Sequence, residues 1–261
     1  MMAAHRIVLT KQQIASYVLL TLGLVSLLAS LFFNLETLAL IGLGLTFWGA
    51  FFVYVTPIKY VKLDFLVASA MASLSNIERI LTSEKTDSKG VYLPPKYLKD
   101  YQSSLVFIPP VSDSSLPKPE RALLDSGTLY SKDPKGILLT PPGSDLCKLF
   151  EKELKKFFTD TDFHEVQKDL PRLLEKLQIA KSATIQQTGN IVTVEVKHNI
   201  FEDLCKEATK LRRTHESIGC LLPSTIACAL AKATGQPVII EKEEQSPDNE
   251  GTKITFRIGE D

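Results

Sequence analysis

The chain has 261 residues, 30 basic and 30 acidic, long enough for a membrane anchor and one or two modest domains. The charge is unevenly placed. Residues 1–60 hold Arg6, Lys11 and Lys59 against Glu36, which leaves 27 basic and 29 acidic residues for 61–261. A near-neutral body excludes the clustered basic excess that nucleic acid demands. It equally excludes a polybasic membrane-surface patch.

In chain order, the first feature is apolar. Ser16–Phe33 and Thr37–Val55 are uncharged runs of 18 and 19 residues, separated by Asn34, Leu35 and Glu36. Runs of about 20 apolar residues match the hydrocarbon layer, and a helix pairs all its own backbone groups there. These residues predict a two-helix transmembrane hairpin within 1–60, with a polar turn at Asn34–Glu36 and Pro57 ending the second helix. Tyr54 fits an interfacial belt, whereas Trp48 lies deeper. A secretory signal is too short an alternative, because its apolar core is about 7–15 residues. Gly23, Gly42, Gly44 and Gly49 offer small surfaces for close helix packing. A short turn keeps both outer ends on one side. The basic flanks, Arg6 and Lys11 before and Lys59 and Lys62 after, place both termini in the cytoplasm of a two-pass cell-membrane protein.

Residues 61–261 read as one soluble α+β region with short strands and two β-hairpins, with a possible subdivision near 111–135. Asp64–Leu81 has apolar positions at helical spacing. Three apolar runs closed by double prolines follow: Gly90–Pro95, Ser104–Pro110 and Gly136–Pro142. Proline cannot donate to a ladder, so each pair ends a buried strand, and the three are expected in one sheet. The Ser/Pro/Asp/Lys-rich stretch Val111–Lys135 reads as a long exposed loop. Ser144 and Asp145 are expected to cap a helix reaching Phe158. Asp162 opens another to Leu177, which Pro171 should divide. Ala183–Gln187 and Ile191–Lys197 form a hairpin around Thr188-Gly189-Asn190. Ile200–Arg213 reads as one helix with Cys205 on its apolar face. Pro223 begins a helix that Gly235 ends, and Val238–Glu241 with Lys253–Ile258 form a last hairpin. The two helix-plus-hairpin units echo each other.

Candidate chemistry is sparse. Cys205, His215, Cys220 and Cys228 are the one constellation, with Cys147 apart. Zinc sites usually present tight knuckles of two to four intervening residues. Here the order is C-x₉-H-x₄-C-x₇-C, so no metal and no cofactor is expected, and all four thiols are expected to be unpaired core residues. Unpaired thiols suit a reducing compartment. Thr140–Asp145 reads as ordinary helix capping rather than a phosphate loop. His164 and His198 read as surface residues, and no catalytic residue is assigned. The leading expectation is a membrane-anchored cytoplasmic domain acting as a non-enzymatic interaction or ligand-binding module. Its partners are the lipid bilayer, and a protein or second copy through the hairpin. The alternatives are a thiol- or metal-dependent tethered enzyme using Cys205, His215 and Cys220, and an accessory subunit of a membrane complex.

The apolar helix pair, G-V-Y-L-P at Gly90–Pro94, L-V-F-I-P at Leu105–Pro109, G-I-L-L-T-P-P-G at Gly136–Gly143 and A-x-G-x-P-V-I-I-E at Ala233–Glu241 carry a resemblance. Together they resemble an uncharacterised family of archaeal membrane proteins. The resemblance implies a shared fold and a membrane address; it brings no activity and no functional residues.

Overall fold

A computed structural model describes residues 11–33, 35–54, 63–98, 104–110, 129–132, 134–246 and 251–259. Arg6, Pro57, Lys59 and Lys62, Asn34 of the expected turn, most of the 111–135 stretch and the 247–250 turn lie outside the described residues. The chain divides into two compact units, Met1–Lys62 and Leu63–Asp261.

In the first unit, α1 (Lys11–Phe33) packs on α2 (Glu36–Tyr54). Glycine decides where they touch. A Cβ on Gly23 would sit 2.4 Å from the Thr46 nitrogen, one on Gly42 2.8 Å from the Leu27 nitrogen, and one on Gly49 2.6 Å from the Leu20 nitrogen. Gly44 faces open space. Three of the four glycines thus line the backbone-to-backbone contact, while Leu22, Val25, Leu28, Leu40, Leu43, Phe47 and Phe51 are exposed on the outside. Glu36, which the sequence reading placed in the turn, lies outside it. It is the first residue of α2, where a carboxylate faces the positive end of the helix dipole. Both helices are long and apolar enough to cross a membrane. A third segment, Arg212–Thr234, also meets that measure, but it is buried inside the second unit.

The second unit is built on one eight-stranded sheet. Its strands are β1 (Val91–Leu93), β2 (Leu105–Ile108), β3 (Tyr130–Lys132), β4 (Lys135–Leu139), β5 (Ser182–Thr188), β6 (Ile191–Lys197), β7 (Val238–Gln245) and β8 (Gly251–Ile258). They lie in the order β3-β4-β2-β1-β7-β8-β6-β5, every neighbour antiparallel. The three proline-closed runs are adjacent, as expected. The sequence missed β3, which falls inside the stretch read as loop, and it missed that both hairpins continue the same sheet across that stretch.

Strand composition follows burial. In β1, β2 and β4, Tyr92, Val106, Ile108, Ile137 and Leu139 enter the main core, while Val91, Leu93, Leu105, Phe107 and Leu138 pack in a second cluster. Burial on both faces requires continuous apolar runs. In β6, Val192, Val194 and Val196 are buried and the residues between them are not, the alternation of a one-sided strand. The hairpin of β5 and β6 turns at Gly189–Asn190, with Gly189 at φ +64°. The two hairpins meet through β6 and β8, with Val194 opposite Ile254 and Val192 opposite Phe256.

Helices cover the core: α3 (Leu63–Ser83), α4 (Ser144–Leu154), α5 (Phe163–Lys176), α6 (Glu202–Ala208), α7 (Arg212–Ile218) and α8 (Leu221–Thr234). Nearly every residue of α8 is buried, which explains its small apolar composition. Three sequence expectations are corrected here. Gly143, not Ser144 or Asp145, is the N-cap of α4, and the helix stops at Leu154 because Lys155 turns left-handed at φ +55° as its C-cap; beyond it the Phe158 N–H donates to Glu151 Oε1 at 3.1 Å. Pro171 does not divide α5; Val166, Leu170, Leu173 and Leu174 are all buried along one face and hold the helix through it. The expected helix over Ile200–Arg213 is broken into α6 and α7. Glu78 of α3 supplies the reason: its carboxylate accepts the Thr214 N–H at 2.7 Å and the Arg213 N–H at 3.3 Å, which starts a new helix there.

Candidate functional site

The second unit brings together three of the four sequence candidates, together with one residue that the sequence reading passed over. Each is held by a different element. Cys205 lies on α6. His215 lies on α7, whose start is capped by Glu78. The end of α7 is tied to the first strand: Tyr92 Oη donates to the Ile218 carbonyl at 2.5 Å, and the Gly90 N–H donates to the Ser217 carbonyl at 2.8 Å. Gly219 then takes φ +67°, a left-handed conformation that few other residues adopt without strain. That turn sets Cys220 at the N-cap of α8.

Glu243 is the residue sequence reasoning missed. In a regular strand, Val238 and Ile240 on the core face would be followed by Lys242. A bulge between Ile240 and Lys242 shifts the register, so Ile240 stands opposite Phe256 and Glu243 opposite Ile254. Phe256 and Ile254 are both core-facing. The bulge therefore turns Glu243 inward and Lys242 outward.

Cys205 and Cys220 form a disulfide. The expectation of four unpaired thiols is thereby corrected: helix spacing placed Cys205 correctly on an apolar face, but the break between α6 and α7 folds Cys220 back against it. The bond packs with Met71 and Leu74 of α3 and with Ala208 and Leu211. Glu243 Oε1 lies 3.9 Å from Cys220 Sγ, and His215 Nε2 lies 3.4 Å from Glu243 Oε2. Glu243 Oε2 is buried and accepts no hydrogen bond among the described residues. The two sulfurs and a Glu243 oxygen fall within 4.8 Å of one another. A cleft of about 310 Å³ opens beside them, bordered by Cys205, His215, Glu243 and His198. At its rim His198 holds φ +49°, in a region sparsely used outside glycine.

The fourth candidate is elsewhere. Cys228 is buried in α8, near Cys147 of α4. Burial pushes the Cys228 thiol up to about 12 and the Cys147 thiol well above its ordinary value, the neighbouring Cys228 adding to the latter. Both are free thiols buried in the core, where the sequence reading put them. His164 is exposed on α5 and joins no cluster among the described residues.

Chemically, the arrangement is a disulfide between a half-buried and a fully buried sulfur, flanked by a carboxylate and an imidazole in an open cleft. Two thiols released there would face a hydrogen-bond acceptor and a base within a few ångströms. No curated protein and no solved structure matches the chain. The family described as Domain of unknown function (DUF7982) matches residues 3–258, nearly the whole length, and the chain belongs to that family.

Proposed function

We propose that this is an integral two-pass membrane protein, both termini cytoplasmic, whose α+β unit is a non-enzymatic interaction module governed by the redox state of Cys205–Cys220. The observation that carries the reading is the position of that disulfide: it packs on Met71 and Leu74 of α3, the helix that follows the two apolar helices in sequence. Breaking it alters the packing of α3 within the second unit. The apolar outer surface of α1 and α2 suits lipid, and the archaeal membrane family that the strand motifs resemble fits the same address. Orientation rests on the basic flanks alone, because the thiol argument for a reducing compartment has gone. Those flanks and the disulfide together favour a switch over a permanent staple: cytosolic disulfides are usually transient and redox-sensing, whereas external ones are structural.

The chemistry balances simply. A dithiol reductant gives two electrons and two protons to the Cys205–Cys220 bond, leaving two thiols here and a disulfide in the reductant. Two measurements test the reading in native membranes. A reporter active only in the cytoplasm, fused after Asp261, should be active. Alkylation trapping should show Cys205 and Cys220 as thiols in resting cells and as a disulfide after a mild oxidant. A C-terminal reporter that works only outside the cell, or a disulfide present at all times, overturns the proposal.

A further inference from the structure

We propose that the reduced site is a metal centre: Cys205, Cys220 and Glu243 bind a thiophilic divalent cation, zinc, with His215 positioning the carboxylate. It rests on the redox reading only in requiring the two sulfurs as free thiols. Sequence spacing argued against a zinc site because no knuckle is present, but a knuckle is only one way to bring ligands together. Here α6, the N-cap of α8 and the bulge of β7 do so from three separate elements.

The donor set suits the ion. Zinc accepts thiolate and carboxylate oxygen, and three protein ligands leave the fourth tetrahedral position to water. Zn–S bonds of about 2.3 Å at tetrahedral angles put two sulfurs roughly 3.8 Å apart. The bonded sulfurs must therefore separate, and Cys205, only half-buried at the cleft, has room to turn. The carboxylate already lies within 4.8 Å of both sulfurs, so its oxygen is near where a shared ion would hold it. Glu243 Oε2 is buried without a hydrogen bond and has the His215 imidazole as its ion-pair contact, so a cation bound there would offset the desolvation of the carboxylate. His215, 3.4 Å from that oxygen, holds its orientation. The cleft supplies an entry path and the fourth position for water. Two soft sulfurs select zinc over magnesium or calcium. Binding releases two thiol protons. Oxidation by a small disulfide takes two electrons from the thiolates, breaks the oxidant's S–S bond into two thiolates, re-forms the Cys205–Cys220 bond and expels the ion, so metal and disulfide are alternative states of one site.

The test uses the full chain in detergent. After reduction it is titrated with cobalt(II), then with zinc. Thiolate-to-cobalt charge-transfer absorption should saturate at one equivalent, disappear as zinc displaces cobalt, and be absent from the oxidised protein. Cys205→Ser and Cys220→Ser should abolish it, while Cys147→Ala and Cys228→Ala should leave it. Glu243→Gln, a near-isosteric change beside the cleft, should weaken zinc binding at least 10–100-fold, the range typical of groups that support a metal site. No charge-transfer band in the reduced wild type, a band that survives both serine variants, or unchanged affinity in Glu243→Gln overturns the metal site. Alkylation of the same samples reads the disulfide separately. A bond that cycles while no metal binds refutes this inference alone. Metal binding by a chain whose thiols never pair upholds it and refutes the switch.

Discussion

Glu151 of α4 and Lys232 of α8 form an ion pair in the core, and removing one partner should be the most damaging polar substitution in the second unit. Lys232 Nζ lies 3.1 Å from each Glu151 oxygen, with side-chain exposures of 3% and 7%. Glu151 Oε1 also accepts the Phe158 N–H. At an effective dielectric near 20, charges this close attract by roughly 5 kcal/mol, and desolvation offsets most of it. The intact pair is therefore close to neutral for stability. Glu151→Gln leaves the buried ammonium without its carboxylate, and the expected loss is about 3–5 kcal/mol. For a unit of this size that lowers the melting temperature by roughly 6–20 °C. Replacing both, Glu151→Leu with Lys232→Met, removes the buried charge altogether. The double variant should recover all but about 1 kcal/mol, the remainder being the lost acceptor for Phe158. Thermal unfolding of the full chain in detergent, followed by far-UV circular dichroism, measures both. A single variant that loses under about 1 kcal/mol, or a double variant no better than the single, would refute the reasoning.

Three further outcomes are expected. Reducing the Cys205–Cys220 bond in the presence of a chelator should cost about 3 kcal/mol, the chain-entropy figure for a closed loop of about 15 residues; equal stability with and without reductant in denaturant titrations would contradict it. Cys228 has an ordinary value of 9.0 and is pushed up to about 12 when folded. Unfolded chains therefore release its proton first, and stability should fall by about 1.4 kcal/mol per pH unit from this thiol between those values. Buried Cys147 and Tyr92 act in the same direction, so pH-dependent melts should slope downward above pH 9 and less steeply in Cys228→Ala. In the first unit, Gly49→Leu should loosen the α1–α2 contact and Gly44→Leu should not, because only the former meets the partner backbone. Fluorescence of Trp48, the chain's single tryptophan, through a titration with denaturing detergent would show equal effects if that is wrong.

What the sequence determined is whatever depends on composition and short-range spacing. Two uncharged apolar runs specify their own helices, because backbone pairing within α1 and α2 needs no partner. Double prolines ended β1, β2 and β4, and Gly189 and Gly235 marked a turn and a helix end through local φ preference. The site was legible only in part. Cys205, His215 and Cys220 stood out by residue type, yet their pairing did not, since it depends on a helix break between them. That break is made by Glu78, more than 130 residues earlier in the chain. Cys228 was grouped with them by nearness in sequence, but it points into the core beside Cys147. Glu243 carried no signal at all: in V-I-I-E-K-E-E-Q it is one of three glutamates, and only a bulge in the pairing of β7 with β8 selects it. The tertiary structure alone made that choice, because strand register is a property of two segments and the phase of a strand after a bulge belongs to its partner.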